Sequence, residues 1–486
     1  MPATAQPGTA HPRAVLAIVL ITYLMIIVDT SVVITGLPHI RRDLGFDDTG
    51  VSWVQNAYTL AFGGLLLLGA RAGDLYGRRR VLLVGLALFS SASLAVGAAP
   101  VAGLLVAARA VQGVGAAILA PSTLALITAS FPEGPQRSRA VVWYGSVAGI
   151  GAAVGLVLGG LLADLASWRV AFAINVPIGV LLMVLAVRYL DRSGRRAGRL
   201  DVAGAVTSTL GMTALADGIV RLGDAGRADR GALAMLAVGV VLVVTFVLVE
   251  RRAAQPIMPL HLLADRVRTG AYLTRFAFIA AMITYFLFVS RLLQDAWGWS
   301  ALAAGLAFLP MTLVNFVVAA RVQRLLGRFG ARLVLPAGIA LALVGLVWLA
   351  QAPAVGGYVL SVGVPCVLIG AGQGLAFAPM TSAGIAGARA EEAGAASGVL
   401  NAFHQLGGAI GLAATTAVAA LVAGTPAVPS PAQVAARVDA AMGGASVLMG
   451  LALVATLVLV VPAHASSRRR EVRAVGNLMT VREELS

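Results

Sequence analysis

The sequence predicts an all-α polytopic membrane protein with 14 transmembrane helices in a 6+2+6 arrangement. Three observations predict it: composition, the spacing of apolar runs, and the placement of arginines between them. Of the 486 residues, 59% are apolar and 12% charged, with a mean hydropathy of +0.90. Soluble domains carry roughly 25% charged residues, so too little polar surface exists here to cover a water-soluble globule. Runs long enough to cross a hydrocarbon core of roughly 30 Å lie near 14–36, 52–70, 81–99, 101–127, 140–162, 169–190, 202–221, 232–249, 270–292, 302–320, 333–351, 357–380, 396–422 and 443–463. Arginines concentrate in the connections after the even-numbered spans, for example Arg78, Arg79 and Arg80 after the second and Arg321, Arg324 and Arg328 after the tenth. The positive-inside rule then puts both termini in the cytoplasm of a cell-membrane protein.

The elements follow in order. Residues 1–13 form a short polar cytoplasmic tail. The first run begins at Ala14, contains Asp29 and has no A-x-A cleavage site, so it reads as a retained span rather than a signal peptide. Residues 14–195 form a first bundle of six helices, 196–265 an insert of two, and 266–465 a second bundle of six, with a cytoplasmic tail at 466–486. Internal repetition supports the two bundles. GRFGARLVL (327–335) follows span 10 as DLYGRRRVL (74–82) follows span 2, and QGVGAAILAP (112–121) is echoed by AGQGLAFAP (371–379). Parallel six-helix repeats around a midplane cavity are a transporter architecture.

Composition also excludes functions. The net charge of +15 sits between apolar runs, where it signals topology rather than a nucleic-acid partner. All 36 basic residues are arginine, which removes both a Walker-A lysine and a Schiff-base lysine. The single Cys366 allows no disulfide within the chain. Five scattered histidines make no metal-ligand spacing, so neither metal nor cofactor is expected.

Ionisable residues inside the membrane are expensive and are functional candidates by default. Asp29 in span 1 lies nine residues from Pro38, and Arg109 in span 4 lies nine residues from Pro100. At 1.5 Å per residue both stand roughly 13 Å inward, at one level. Two readings fit: a static ion pair that holds helices together, or a proton site whose occupancy biases a two-state protein. Asp74 beside Gly77, Arg78 and Arg79 also has two readings. The arginines hold the loop inside, and the acid, which adds nothing to topology, suits a charge-assisted contact made in one conformation and broken in another. Gly151, Gly155 and Gly159 recur every four residues in span 5, with Gly160 adjacent, and allow close helix packing. Tyr58, Gln112, Asn315, Asn401, His404 and Gln405 are polar groups that either face a cavity or bridge helices.

With these residues in place, the chain resembles the major facilitator superfamily. Residues 70–79 match its loop motif G-x-L-A-D-R-x-G-R-K at Asp74, Gly77, Arg78 and Arg79. VDTSVVITGLP (28–38) and RAVQGVGAA (109–117) resemble the first- and fourth-helix motifs of its drug–proton antiporter branches. WRVAFAINVPIG (168–179) matches a segment of the fourteen-helix branch. Span 5 resembles the antiporter motif G-x-x-x-G-P-x-x-G-G, with Leu156 where the proline stands. The resemblance implies a proton-coupled exporter of small hydrophobic or cationic molecules, working by alternating access. Proton coupling falls on Asp29 and Arg109, with Asp29 also receiving cationic substrate. The cytoplasmic gate falls on Asp74, Gly77, Arg78 and Arg79. The antiporter helix carries Gly151, Gly155, Gly159 and Gly160. Asp29, Tyr58, Gln112, Asn315, Asn401, His404 and Gln405 fall on the substrate cavity. Protons, the lipid bilayer and a monomeric state complete the expected partners. Leu156 keeps an uptake symporter or a substrate-specific metabolite exporter open as alternatives.

Overall fold

Helix starts and stops in the chain follow its prolines, serines and glycines. Pro12 opens α1 (Pro12–Leu44), and Gly45, in the left-handed region at φ 66°, closes it by donating its N–H to Arg41 O. The computed structural model describes residues 11–47, 50–131, 135–191, 201–224, 230–253, 256, 258–351, 357–388, 393–424 and 430–461. Among them the helical segments are α1, α2 (Trp53–Tyr76), α3 (Arg78–Gly97), α4 (Ala102–Ser130), α5 (Pro135–Leu165), α6 (Trp168–Tyr189), α7 (Val202–Asp224) and α8 (Arg230–Arg252). They continue with α9 (Arg266–Ala296), α10 (Ala301–Phe329), α11 (Ala331–Leu349), α12 (Val359–Ile385), α13 (Ala393–Ala423) and α14 (Pro431–Val460). No strand occurs among the described residues. Each expected run thus contains a helix. Twelve described helices are long and apolar enough to cross a membrane; α2 is not among them, and α5 contributes only the shorter apolar stretch Val154–Leu165.

Two spans expected as single helices are interrupted. A turn at Ile174 divides α6, and Phe308, just before Pro310, divides α10. Proline has no N–H to donate and fits best in the first turn of a helix, where Pro310 stands as α10 restarts. The tightest connections are single glycines: Gly77 joins α2 to α3 at φ 93°, and Gly330 joins α10 to α11 at φ 75°. Those are the two glycines that align in the internal repeat. Only glycine enters that region without a Cβ penalty, so the same turn recurs at the same point of each half. The other repeat echo also recurs in place, because Pro121 lies inside α4 and Pro379 inside α12.

Helices α1–α6 pack on one another, and so do α9–α14. The two groups meet where α2 packs on α13 and α5 on α10. The inserted pair α7–α8 packs together, with α7 lying against both α2 and α13. Lipid supplies no hydrophobic drive for such contacts, so close approach and polar bonds must hold them. The span 5 glycines provide that approach. A Cβ on Gly151 would stand 3.0 Å from Ile27 Cγ2, and one on Gly155 2.6 Å from Ser31 Cβ. One on Gly159 would stand 2.7 Å from Val32 Cα, so the whole stripe faces α1. Gly160 instead faces Ala301 O across the halves, while a Cβ on Gly305 of α10 would stand 2.5 Å from Leu156 O. Outward-facing valines and leucines such as Val240, Val241, Val244, Leu451 and Val454 are exposed, as befits a surface solvated by lipid.

Candidate functional site

The depth argument for Asp29 and Arg109 has a direct geometric outcome. Arg109 Nη1 donates to Asp29 Oδ2 at 2.7 Å, and both side chains are fully buried. Arg109 Nε donates to Val54 O at 3.0 Å, and Nη1 also to Gln112 Oε1 at 2.6 Å. The guanidinium carbon lies 4.2 Å from the Tyr58 ring centroid and 5.7 Å from that of Phe172. Asp29 Oδ1 takes two further donors, Gln112 Nε2 at 2.7 Å and Asn175 Nδ2 at 2.9 Å. Ser93 Oγ accepts from both of those amides, at 2.7 and 3.3 Å, and itself donates to Phe89 O at 2.8 Å. Five helices therefore converge on one carboxylate. A buried charge is tolerable only when paired and hydrogen-bonded in this way.

Sequence reasoning missed Ser93 and Asn175. Asn175 was within reach of it: an amide inside an apolar span, at the middle of WRVAFAINVPIG, just after the turn at Ile174 that divides α6. The same segment ties α6 to its neighbours at the other end. Trp168 Nε1 donates to Asp43 Oδ2 at 3.1 Å, and Arg169 reaches Gly97 O at 3.1 Å, Ala99 O at 2.7 Å and Asp43 Oδ2 at 2.9 Å. The fourth-helix segment divides its labour similarly. Arg109 and Gln112 carry polarity, Gly113 admits the α2 backbone at Tyr58, and Gly115 admits that of α3 at Phe89.

The remaining expected site residues scatter. Asp29, Tyr58 and Gln112, expected on a cavity wall, lie inside the first bundle with essentially no exposed surface. Asp29 accepts three hydrogen bonds from within the bundle and is 1% exposed, so its carboxylate does not front open space here. Asn315 on α10 is half-buried, and Asn401 on α13 is exposed. Gln405 packs against Gly63 of α2, between the halves. His404 Nδ1 accepts a hydrogen bond from Arg275 Nε at 3.1 Å. Arg275, on α9, is a further intramembrane charge that sequence reasoning missed, although an arginine inside the apolar run 270–292 was signal enough.

Near the end of α2, the Asp74 side chain lies outside the described residues. Arg79 donates from Nη1 to Leu190 O at 3.1 Å and from Nη2 to Val187 O at 2.7 Å, capping the carbonyl end of α6. Arg78 Nη1 donates to Ala125 O of α4 at 2.9 Å.

At the far ends of α1 and α5 the two halves are bonded together. Ser290 Oγ donates to Ile34 O at 3.1 Å, and Gln294 Nε2 to Thr35 O at 3.2 Å. The Asp164 carboxylate accepts from Ala301 N at 3.0 Å and Leu302 N at 2.7 Å, capping α10 from the other half. A carboxylate is favoured there by the N–H groups left open at a helix start. Thr35 Oγ1 also donates to Leu156 O at 3.3 Å, so the position of the motif's missing proline is a carbonyl bonded to α1. These bonds join the two halves on the face opposite the start of α1.

Among known proteins, a sequence model of the Major Facilitator Superfamily matches residues 19–412. The cephamycin export protein CmcT of Amycolatopsis lactamdurans is 39% identical over 96% of this chain and 95% of its own. The puromycin resistance protein pur8 of Streptomyces alboniger is 39% identical over 90% of this chain and 88% of its own. In fold, the chain resembles a bacterial homologue of the human lysosomal transporter Spinster, crystallised inward-facing and unoccupied. The TM-score is 0.66 at 14% identity, covering 92% of this chain and 96% of that one.

Proposed function

The chain belongs to the Major Facilitator Superfamily, a multi-pass membrane transporter and not an enzyme, and from that premise we propose that it exports small drug-like or antibiotic molecules in exchange for protons. Relatives whose names state cephamycin export and puromycin resistance support the direction and the cargo class. The buried Asp29–Arg109 pair carries the proton half of the reading. The protein sits in the cell membrane as a monomer with both ends in the cytoplasm. Its 14 spans comprise two rocking halves, 14–195 and 266–465, and the insert 196–265.

The packing supplies a route from proton to gate. As a carboxylate, Asp29 accepts from α4 twice and from α6 once. A proton on it removes the charge that offsets Arg109 and weakens all three bonds. That loosens α1 from α4 and α6. The glycine stripe holds α5 on α1, so the two move together. Their far ends carry the bonds to α9 and α10 that seal the outer face. Proton occupancy thereby biases the outer seal, as a two-state transporter requires. On the opposite face, Asp74 with Gly77, Arg78 and Arg79 serves as the gate that closes when the outer seal opens.

Everted vesicles loaded with a pH-sensitive dye test this reading. Proton release on adding ethidium or puromycin is expected, and Asp29→Asn should abolish it while leaving the protein in the membrane. Uphill export retained in that variant would refute the proton role. Proton movement in the same direction as substrate would make the protein an uptake symporter instead.

A further inference from the structure

Arg275 is a buried cation with no carboxylate partner among the described residues. It is 3% exposed, on α9, in the second half. Its Nε donates to His404 Nδ1 at 3.1 Å, and Nη1 donates to Thr381 Oγ1 at 3.4 Å. Its guanidinium carbon lies 3.6 Å from the Phe377 ring centroid. No acidic side chain among the described residues pairs with it, and Nη2 makes no hydrogen bond to any of them. Arg109, by contrast, has Asp29. An intramembrane guanidinium is costly, and such residues are retained where they meet ions or substrates. His404 accepts here and so is held neutral, leaving the positive charge unopposed.

The surroundings indicate where the missing anion belongs. Phe377, the ring that Arg275 covers, is itself 36% exposed. From the first half, Tyr23 of α1 lies within electrostatic range of Arg275 and stacks on Tyr144 at 3.9 Å between centroids. The guanidinium thus comes from one half and the aromatic pair from the other. Arg275 lies nine residues from the start of α9, Tyr23 eleven from the start of α1, and Thr381 four from the end of α12. All three lie toward the face where α1 begins. Arginine's fork suits a planar oxyanion, and aromatic rings suit an apolar body.

We propose that Arg275 is the docking point for a carboxylate or similar oxyanion on the exported molecule, whose apolar part rests on Tyr23 and Phe377. This rests on the exporter reading above and adds amphipathic aromatic anions to the cationic cargo expected there. The proton and cargo charges then occupy different halves, Asp29 in the first and Arg275 in the second.

Binding of dansylglycine and of its uncharged methyl ester to the purified full chain, read by dansyl fluorescence, tests it. The acid should bind at least about tenfold more tightly than the ester, the scale of a charge-assisted hydrogen bond. R275Q should bring that ratio to about one while changing ester affinity less than about twofold. R275K keeps the charge but loses the fork, and should weaken acid binding part of the way. Equal affinity of acid and ester, absence of acid binding, or a preference that survives in R275Q overturns the proposal. If R275Q does not fold, wild type and R275K decide: acid binding unweakened in R275K overturns it. The exporter reading fails separately: if ethidium drives proton release but the acid does not bind, export stands and the anion site falls. If the acid binds but no compound moves protons, the reverse holds.

Discussion

At the scale of single residues, the Asp29 network makes a sharp energetic prediction. Removing one member of a buried ion pair leaves the other uncompensated and costs about 3–5 kcal/mol, whereas replacing both with apolar residues costs far less. Arg109→Ala should therefore lower the melting temperature of the detergent-solubilised protein well below that of the Asp29→Leu/Arg109→Leu double variant. A double variant melting lower than the single one would mean that the pair itself stabilises the fold. Asn175→Ala withdraws one donor from Asp29 Oδ1. It should slow coupled transport several-fold at unchanged protein level, and an unchanged rate would reduce Asn175 to a packing residue. Asp29, Arg109 and Gln112 were legible because charge and amide stand out in an apolar run. Asn175 carried the same mark as Gln112, whereas Ser93 was not legible, because a small hydroxyl in a helix carries no mark of the partner it will meet.

At the scale of elements, the α1–α5 pair is the unit with the clearest consequences. Ser31 and Val32 approach the α5 backbone closely at Gly155 and Gly159, so Gly155→Leu cannot be absorbed without parting the helices. Its expected effect is lower thermal stability together with loss of transport; a variant that keeps both would place no demand on the stripe. Asp164 is a different kind of contact, since it caps α10 of the opposite half. Asp164→Ala should favour the state open at the outer face. The measurement is modification of an introduced cysteine at Thr35 in a Cys366→Ala background, expected to quicken when Asp164 is lost. The four-residue spacing of the glycines was readable in advance as a packing face. Which helix it would meet was not, because a stripe of small residues specifies closeness and leaves the partner open.

At the scale of the whole molecule, the two halves meet along α2–α13 and α5–α10, and α7 lies across the first of these seams. The bonds that join the halves at the far ends of α1 and α5 lie on one side of the molecule, and Arg275 lies nearer the side where α1 begins. Orientation in the membrane is tested directly: a cysteine replacing Arg80 in a Cys366→Ala background should react with a membrane-impermeant maleimide only in everted vesicles. Labelling in right-side-out cells would invert the topology and with it the direction of export.

The sequence by itself determined the class of protein, the positions of its helices, the repeat that returns a glycine turn at Gly77 and Gly330, and the depth at which Asp29 and Arg109 stand. These follow from hydropathy, rise per residue and backbone sterics, which act locally along the chain. Tertiary structure alone decided that Asp29 faces inward among α3, α4 and α6 instead of lining a chamber, that the glycine stripe binds α5 to α1, and that Arg275 finds histidine and aromatic neighbours but no acid among the described residues. Those outcomes depend on which helix faces meet, and a face acquires its partner only when residues eighty to more than a hundred positions apart, such as Asp29 with Arg109 and Asn175, are brought together.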